Sequence, residues 1–327
     1  MLHLWIGRAG AGKTARVLET IKKNRTRRGQ ILIVPEHVSH EAEVALCHAL
    51  GDTASRSAEV LSLRNLSGRV LGEVGGLSDF TLDGGGKLLT MRMALQEVGS
   101  SLHVFNNPSR RAAFLEQLVA LVDELYAYEI PPQELYAQVQ DVPGQEGDKL
   151  RDVALLYAAY DARLRSGGRD ARSRVQKLRD ALPQASYLRG KDVYFDGFSY
   201  FNKTEEGILL TALTQAESVT VTLLGDRSAT EIFQNALRQR QRLVRMAQQT
   251  GCTMEFMEPA GDTPLAHLEK YFFGAAAPIR EGGGDQVRLY EATTAYAEVE
   301  YVSAQIRQML RGGYRCRDIA VTARDLT

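Results

Sequence analysis

Residues 7–14 read Gly7-Arg8-Ala9-Gly10-Ala11-Gly12-Lys13-Thr14, and no other stretch restricts the fold as much. The spacing meets G-x-x-x-x-G-K-[ST] at every required position. Its glycines let the backbone curl through positive φ, so that several N–H groups face one centre. An apolar run, Leu2 to Ile6, precedes the loop. After it, Val17, Leu18 and Ile21 fall on one face of a helix predicted over Lys13 to Asn24. Strand, glycine loop and helix in that order form the context of a phosphate-binding turn, to which the helix N-terminus adds partial positive charge. On this pattern Gly7 to Thr14 are the cofactor-binding residues for ATP. Lys13 reaches the β- and γ-phosphates, and the Thr14 hydroxyl is a ligand for Mg²⁺. The competing reading is a glycine-rich strand–helix turn that binds nothing.

The rest of the pattern places that loop in a parallel α/β sheet. Strands are expected at Ile31 to Val34, at the start of Val60 to Val70, at Val193 to Phe195 and at Val219 to Leu224. Helices are expected at Glu36 to Leu50 and, as a crossover, at Glu205 to Gln215. Alternating strands and helices with a phosphate loop after the first strand imply parallel pairing. The composition shifts at Asp83-Gly84-Gly85-Gly86, and Lys87 to Arg179 shows helical spacing almost throughout, for example at Leu115, Leu118, Leu121, Val122 and Leu125. No period recurs, which disfavours a solenoid. After the glycine-rich hinge from Glu281 to Asp285, Val287 to Tyr290, a helix near Ala297 to Leu310, and Ile319 to Thr322 read as the opening of a second β-α-β unit. The expected division is therefore 1–85 with 185–280 as the sheet domain, 86–184 as an all-helical insertion, and 286–327 as the beginning of a second domain. The last ten residues, DIAVTARDLT, read as a buried strand with a polar exit, as in a piece of a longer protein; the alternative is a natural terminus with an added edge strand.

Hydrolysis asks for more than the loop. A metal-linked carboxylate belongs at the end of a neighbouring strand, and Asp196 in Val193-Tyr194-Phe195-Asp196-Gly197 stands there as the second Mg²⁺ ligand, the competing reading being a strand-end turn Asp before Gly. The following residue, where many motors carry the acid that polarises water, is Gly197, and the next acid is Glu205. Loss of a general base costs about 10²–10⁴-fold in rate. At Gly225-Asp226 a second strand-end acid occurs, but the residue three positions on, often a γ-phosphate-sensing Gln, is Ala229. The expectation is ATP binding with feeble turnover, and no residue is assigned as catalytic.

Bulk properties exclude several classes. Lys plus Arg and Asp plus Glu are both 40, so no global basic surplus argues for nucleic acid, and any such case rests on local patches. Patches occur at Lys22, Lys23, Arg25, Arg27 and Arg28, at Arg169, Arg172, Arg174, Lys177 and Arg179, and at Arg238, Arg240, Arg242 and Arg245. A solvated helix face is the plain reading of each. No apolar run approaches the roughly 18–20 residues that cross a bilayer, so no membrane role is expected. The start, MLHLWIGRAG, reads as a first strand rather than a leader. Cys47, Cys252 and Cys316 lie far apart with no CxxC spacing, which favours a reducing cytoplasm over a disulfide or zinc framework.

The order of the segments GRAGAGKT, ILIVPEHVSHEAEVAL, EVLSLRNLSGRVL and VYFDGFSYFNKTEEGIL resembles the superfamily 1 helicases of the UvrD and RecB type. More closely, it is similar to the family of B subunits of the bacterial AddAB ATP-dependent helicase–nucleases. The later segments VTLLGD, PLAHLEKYFFG and EVEYVSAQIRQMLRGGYRCRDIAVTARDL extend the likeness over nearly the whole chain. The resemblance implies a RecA-like P-loop NTPase sheet with a helical insertion and the start of a second RecA-like domain. It also implies work on double-strand DNA ends for recombinational repair, as a heterodimer with an AddA-like helicase–nuclease subunit. In that family the B subunit unwinds little, scans single-stranded DNA, and carries a C-terminal nuclease with an iron–sulfur cluster; three scattered cysteines cannot supply that cluster here.

In such motors the loops after early strands touch DNA. The candidates are Pro35, Glu36, His37 and Ser39, then Ser62 and Arg64, with Phe198 and Tyr200 as base-stacking aromatics. Phe198, Tyr200 and Phe201 fit core packing equally well. His37, His40 and His48 read as surface or cap residues rather than metal ligands. The rival functions are an independent ATP-hydrolysing helicase, which the missing acid after Asp196 disfavours, and a P-loop small-molecule kinase, which the long insertion disfavours.

Overall fold

The structure is a computed structural model that describes residues 1–323 apart from 27–28, 52–53, 77–81, 106–111, 167–173, 228–230, 249, 259–260, 262, 274–276 and 284–285. Its strands are β1 (Leu2–Gly7), β2 (Gln30–Ile33), β3 (Ala58–Leu61), β4 (Asp192–Phe195), β5 (Ser218–Leu224) and β6 (Cys252–Met257). Its helices are α1 (Lys13–Lys23), α2 (Ser39–Leu50), α3 (Ala54–Ser57), α4 (Leu63–Val74), α5 (Gly84–Val98), α6 (Ala112–Ala127), α7 (Pro132–Val139), α8 (Gly144–Ser166), α9 (Arg174–Ala181), α10 (Lys203–Gln215), α11 (Gln234–Met246), α12 (Pro264–Tyr271) and α13 (Ala295–Arg311). The chain divides into two compact units, Met1–Ala260 and Gly261–Thr327.

All six strands are parallel, in the order β3-β2-β4-β5-β1-β6. The α/β expectation holds. Alternation within each strand decides which side is core. Leu2, Leu4, Ile6, Ile31, Ile33, Val193, Phe195, Val219, Val221 and Leu223 project to one side. There they meet α4, α10 and α11 through Leu66, Val70, Ile208, Leu209, Ala212 and Leu243. On the other side, Leu32, Val34, Val60 and Tyr194 pack on Val17 and Ile21 of α1 and on Leu46 of α2. This side is polar farther along the sheet, where Thr220 and Thr222 of β5 are buried.

Helices α5, α6 and α8, between β3 and β4, have a core of their own, built from Met91, Ala94 and Leu95 of α5, Leu118 and Val122 of α6, and Leu156, Tyr157, Tyr160 and Leu164 of α8. Asp152 is buried there and accepts backbone N–H bonds from His103, Val104 and Phe105 at 2.7–2.9 Å. One charge thus ends the chain turn after α5.

In the unit from Gly261 onward, α13 forms as its spacing predicts, capped by the Thr294 side chain. The flanking strands do not form. Neither Val287 to Tyr290 nor Ile319 to Thr322 is extended into a ladder, and Leu289 is fully exposed. A β-strand is stabilised by its pairing neighbours rather than by its own residues. Among the described residues, these segments pair with no strand. No helix of the described residues is long and apolar enough to cross a membrane.

Candidate nucleotide-binding site

The loop between β1 and α1 has the form that its glycines allow. Gly10 and Gly12 both have φ of 75°, in the left-handed region. Gly7 is required for another reason. A Cβ there would come within 2.8 Å of the Met257 carbonyl oxygen and of the Ala11 Cβ, so only glycine lets β6 close beside the loop. Gly12 is the N-cap of α1, and no side chain caps that helix. Lys13 donates from Nζ to the carbonyls of Gly7 and Arg8, at 2.7 and 2.9 Å, and thus lies back across the loop. Ala9, Gly10, Gly12 and Thr14 are not buried, while Ala11 is buried under the turn.

The sheet order brings other groups to the same end. One strand, β5, lies between β1 and β4, so Asp196, which follows β4, is two strand spacings from the loop, about 10 Å in the plane of the sheet. Asp196 is 5% exposed, its N–H donates to the Ile33 carbonyl, and its Oδ1 accepts from the Thr222 hydroxyl. A carboxylate held this way, together with the Thr14 hydroxyl, provides hard oxygen donors of the kind Mg²⁺ takes while it keeps several waters. The residue types fit the ion.

The position that follows Asp196 carries no carboxylate. Gly197 has φ of 81°, so the backbone itself is set for glycine. Glu205 is engaged elsewhere: with Asn202 it forms the capping box of α10, its carboxylate accepting the Asn202 N–H. Burial pushes its carboxyl above the usual range, against the Asn202 bond. Ala229 lies outside the described residues, as do Arg27, Arg28, Arg169 and Arg172.

Sequence reading missed one pair at this site. Arg8, inside the loop, donates to Asp226 Oδ2 from Nε and Nη2 at 3.1 and 2.9 Å, and its guanidinium lies 5.3 Å from the Phe233 ring centre. Both partners are largely buried. Asp226 follows β5, and β5 pairs in register with β1 up to Gly7 and Leu224, which is what brings the two together. The Gly-Asp at a strand end was visible in the sequence, but nothing local pointed to Arg8.

The candidate DNA residues divide. Pro35, Glu36, His37 and Ser39 follow β2, and Glu36 and His37 are exposed. Arg64 is exposed at the start of α4. Ser62 is 1% exposed and its hydroxyl accepts the Asn65 N–H as the cap of α4, so it is committed to the helix rather than open to a phosphate. Tyr200 is 61% exposed, whereas Phe201 is core. Phe198 lies between these cases: partly buried, it stacks on Phe201 with centroids 4.9 Å apart. The Gly197 backbone faces the Pro35 ring, which joins the turn after β4 to the loop after β2.

A family model described as "ADDB, N-terminal" matches residues 4–269. Curated relatives, each named as the B subunit of an ATP-dependent helicase/deoxyribonuclease, align with nearly the whole chain. The protein from Pelotomaculum thermopropionicum is 34% identical over 98% of this chain and 30% of its own length. Those from Geobacillus thermodenitrificans and Geobacillus kaustophilus are 30% and 31% identical, each over 99% of this chain and 30% of their own length. The chain thus spans about 30% of the length of the curated relatives it matches.

Proposed function

This chain belongs to the family of ADDB N-terminal regions, and from that premise we propose that it is an ATP-binding, DNA-engaging module of a helicase–nuclease with little hydrolysis of its own. The observation that carries the reading is the loop itself: left-handed Gly10 and Gly12, an uncapped α1 and a lysine within reach of the same centre. A triphosphate would draw Lys13 from the Gly7 and Arg8 carbonyls to its β- and γ-oxygens. Thr14 and Asp196 would hold Mg²⁺, which supplies charge neutralisation at the phosphates. Exchange of neutral carbonyl acceptors for anionic oxygens favours the bound form, because the lysine ammonium then gains the attraction of an opposite charge.

Weak turnover follows from what surrounds Asp196. Gly197 has no side chain, its backbone disfavours one, and Glu205 serves a helix cap. Bound ATP then acts by holding a conformation more than by driving a step.

The relatives' printed names supply the wider frame. An assembly named by its subunits implies a partner chain, which we read as an AddA-like helicase–nuclease, with DNA ends as substrate. The DNA surface on this chain would comprise Pro35, Glu36, His37, Ser39 and Arg64, with Tyr200 and the edge of Phe198. The nuclease and its iron–sulfur cluster would belong to the parts of the relatives that this chain does not span, and the compartment would be the cytoplasm.

The test is ATP turnover by the pure chain, with and without single-stranded DNA. Slow turnover that DNA barely changes is expected. Fast DNA-stimulated hydrolysis, abolished by Lys13→Ala, would instead establish an active motor, and phosphorylation of a small metabolite would establish a kinase.

A further inference from the structure

Helix α11 carries Arg238, Arg240, Arg242 and Arg245 and no acidic residue, in a chain of zero net charge. Its inner side holds Leu243 against the core and buries Gln239. Beside it runs β6, which pairs only with β1 and ends the sheet. Between α11 and β6 lies an open groove of about 640 Å³. Arg227, Arg240, Arg245, Val244, Met254 and Phe256 line it, and none of the described lining residues is acidic. The guanidinium carbons of Arg227 and Arg240 stand 5.1 and 5.6 Å from the Phe256 ring centre. Arg242 turns away to Glu206. Among the described residues no carboxylate lies within ion-pair distance of Arg227, Arg240 or Arg245.

Uncompensated arginines on a partly buried aromatic ring, with a methionine that is 52% exposed beside it, match a ligand with regularly spaced negative charge and flat apolar faces. We propose that the α11–β6 groove binds single-stranded DNA, with phosphates on Arg227, Arg240 and Arg245 and a base against Phe256 and Met254. An acidic peptide would satisfy the arginines but leave the ring and the thioether unmatched. The groove is separate from the loops after β2 and β3, which stand at the other end of the sheet. Five strand spacings, about 24 Å, separate β3 from β6. The proposal rests on the reading that this chain engages single-stranded DNA, and it adds a second place where it does so.

The experiment is fluorescence anisotropy of a short labelled oligothymidylate with the chain, repeated over a series of salt concentrations. The variant Arg227→Gln/Arg240→Gln/Arg245→Gln is expected to bind at least about tenfold more weakly at low salt, with a slope of log K against log salt shallower by about 2, since each lost phosphate contact removes about 0.7. Arg245→Glu alone changes an accessible side chain and keeps the test available if the triple variant does not fold; it too is expected to weaken binding and flatten the slope. Arg64→Ala reports the other surface independently. If the unaltered chain does not bind the oligonucleotide, both the DNA reading and the groove fall. If it binds and the groove variants match it in affinity and slope, the groove alone falls. Displacement of the oligonucleotide by a polyglutamate peptide at comparable concentration would overturn the DNA assignment of the groove in favour of an acidic protein partner.

Discussion

Gly197 follows Asp196, and its backbone, at φ of 81°, can be probed directly. An L side chain in the left-handed region costs about 1–2 kcal/mol. A Cβ at this position would meet Pro35 Cδ at 3.5 Å, an ordinary contact, so crowding adds no further cost. Alanine also lowers the entropy of the unfolded chain, which returns about 0.4–1 kcal/mol. The net expectation for Gly197→Ala is a loss of about 1 kcal/mol. Asparagine enters the left-handed region more readily than alanine, so Gly197→Asn is expected to lose less. Urea unfolding measures both, and the midpoint should fall for alanine with the slope unchanged. An alanine variant as stable as the parent, or an asparagine variant less stable than the alanine one, would refute the backbone argument. The same position tests the proposal of weak turnover: Gly197→Glu is expected to hydrolyse ATP faster than Gly197→Gln, which carries equal strain and no carboxylate. Equal rates would mean that something other than the missing acid limits the reaction.

Other expectations follow from named contacts. A double-mutant cycle on Arg8→Ala and Asp226→Ala should give a coupling of about 1 kcal/mol by urea unfolding, because the pair is largely buried; a cycle closing to zero would show that the pair contributes no net stability. Ser62→Ala should cost about 1 kcal/mol as a lost helix cap, read from the same unfolding curves. Asp152→Asn should destabilise the helical block by about 1–3 kcal/mol, because three backbone N–H donors lose a buried charged acceptor. Burial pushes the Asp152 carboxyl up, but the N–H groups of His103, Phe105 and Val104 outweigh it and hold it below the usual range. With the folded value depressed, that stabilisation is complete well above the unfolded value of about 3.9 and disappears as pH falls through the lower folded one. The difference in stability between parent and Asp152→Asn should therefore be flat near neutrality and shrink only below about pH 4; a difference that shrinks between about pH 6 and about pH 8 would contradict the assignment.

The turn between β1 and α1 was legible because its demands are local: glycine where φ is positive, then a helix that starts at Lys13. The strands of the interior, such as β4 and β5, were legible because valines, leucines and aromatics run through or alternate along them, as in VYF and SVTVTLL. Cys252–Met257 was not recognised as β6. Most of its residues are polar or sulfur-bearing, it lies at the sheet edge, and only the ladder to β1 makes it a strand. The reverse error has the same cause. Val287 to Tyr290 and Ile319 to Thr322 have strand composition but no partner among the described residues. Arg8 and Asp226 are 218 positions apart, so no pattern in the chain could pair them before the order of β5 and β1 was known. Ser62 shows the limit for polar side chains: a serine after a strand reads alike as a phosphate contact or a helix cap, and burial decides.

The proposed role stands or falls on Gly7 to Thr14 holding the phosphates of ATP. Titration calorimetry of ATP with Mg²⁺ into the pure chain, beside the Lys13→Ala variant, decides it. One site per chain is expected, with affinity in the variant lower by at least about tenfold, or 1.4 kcal/mol, and with AMP binding far more weakly than ATP. Equal affinity for ATP in parent and variant, or no heat and no binding in the parent, would contradict it.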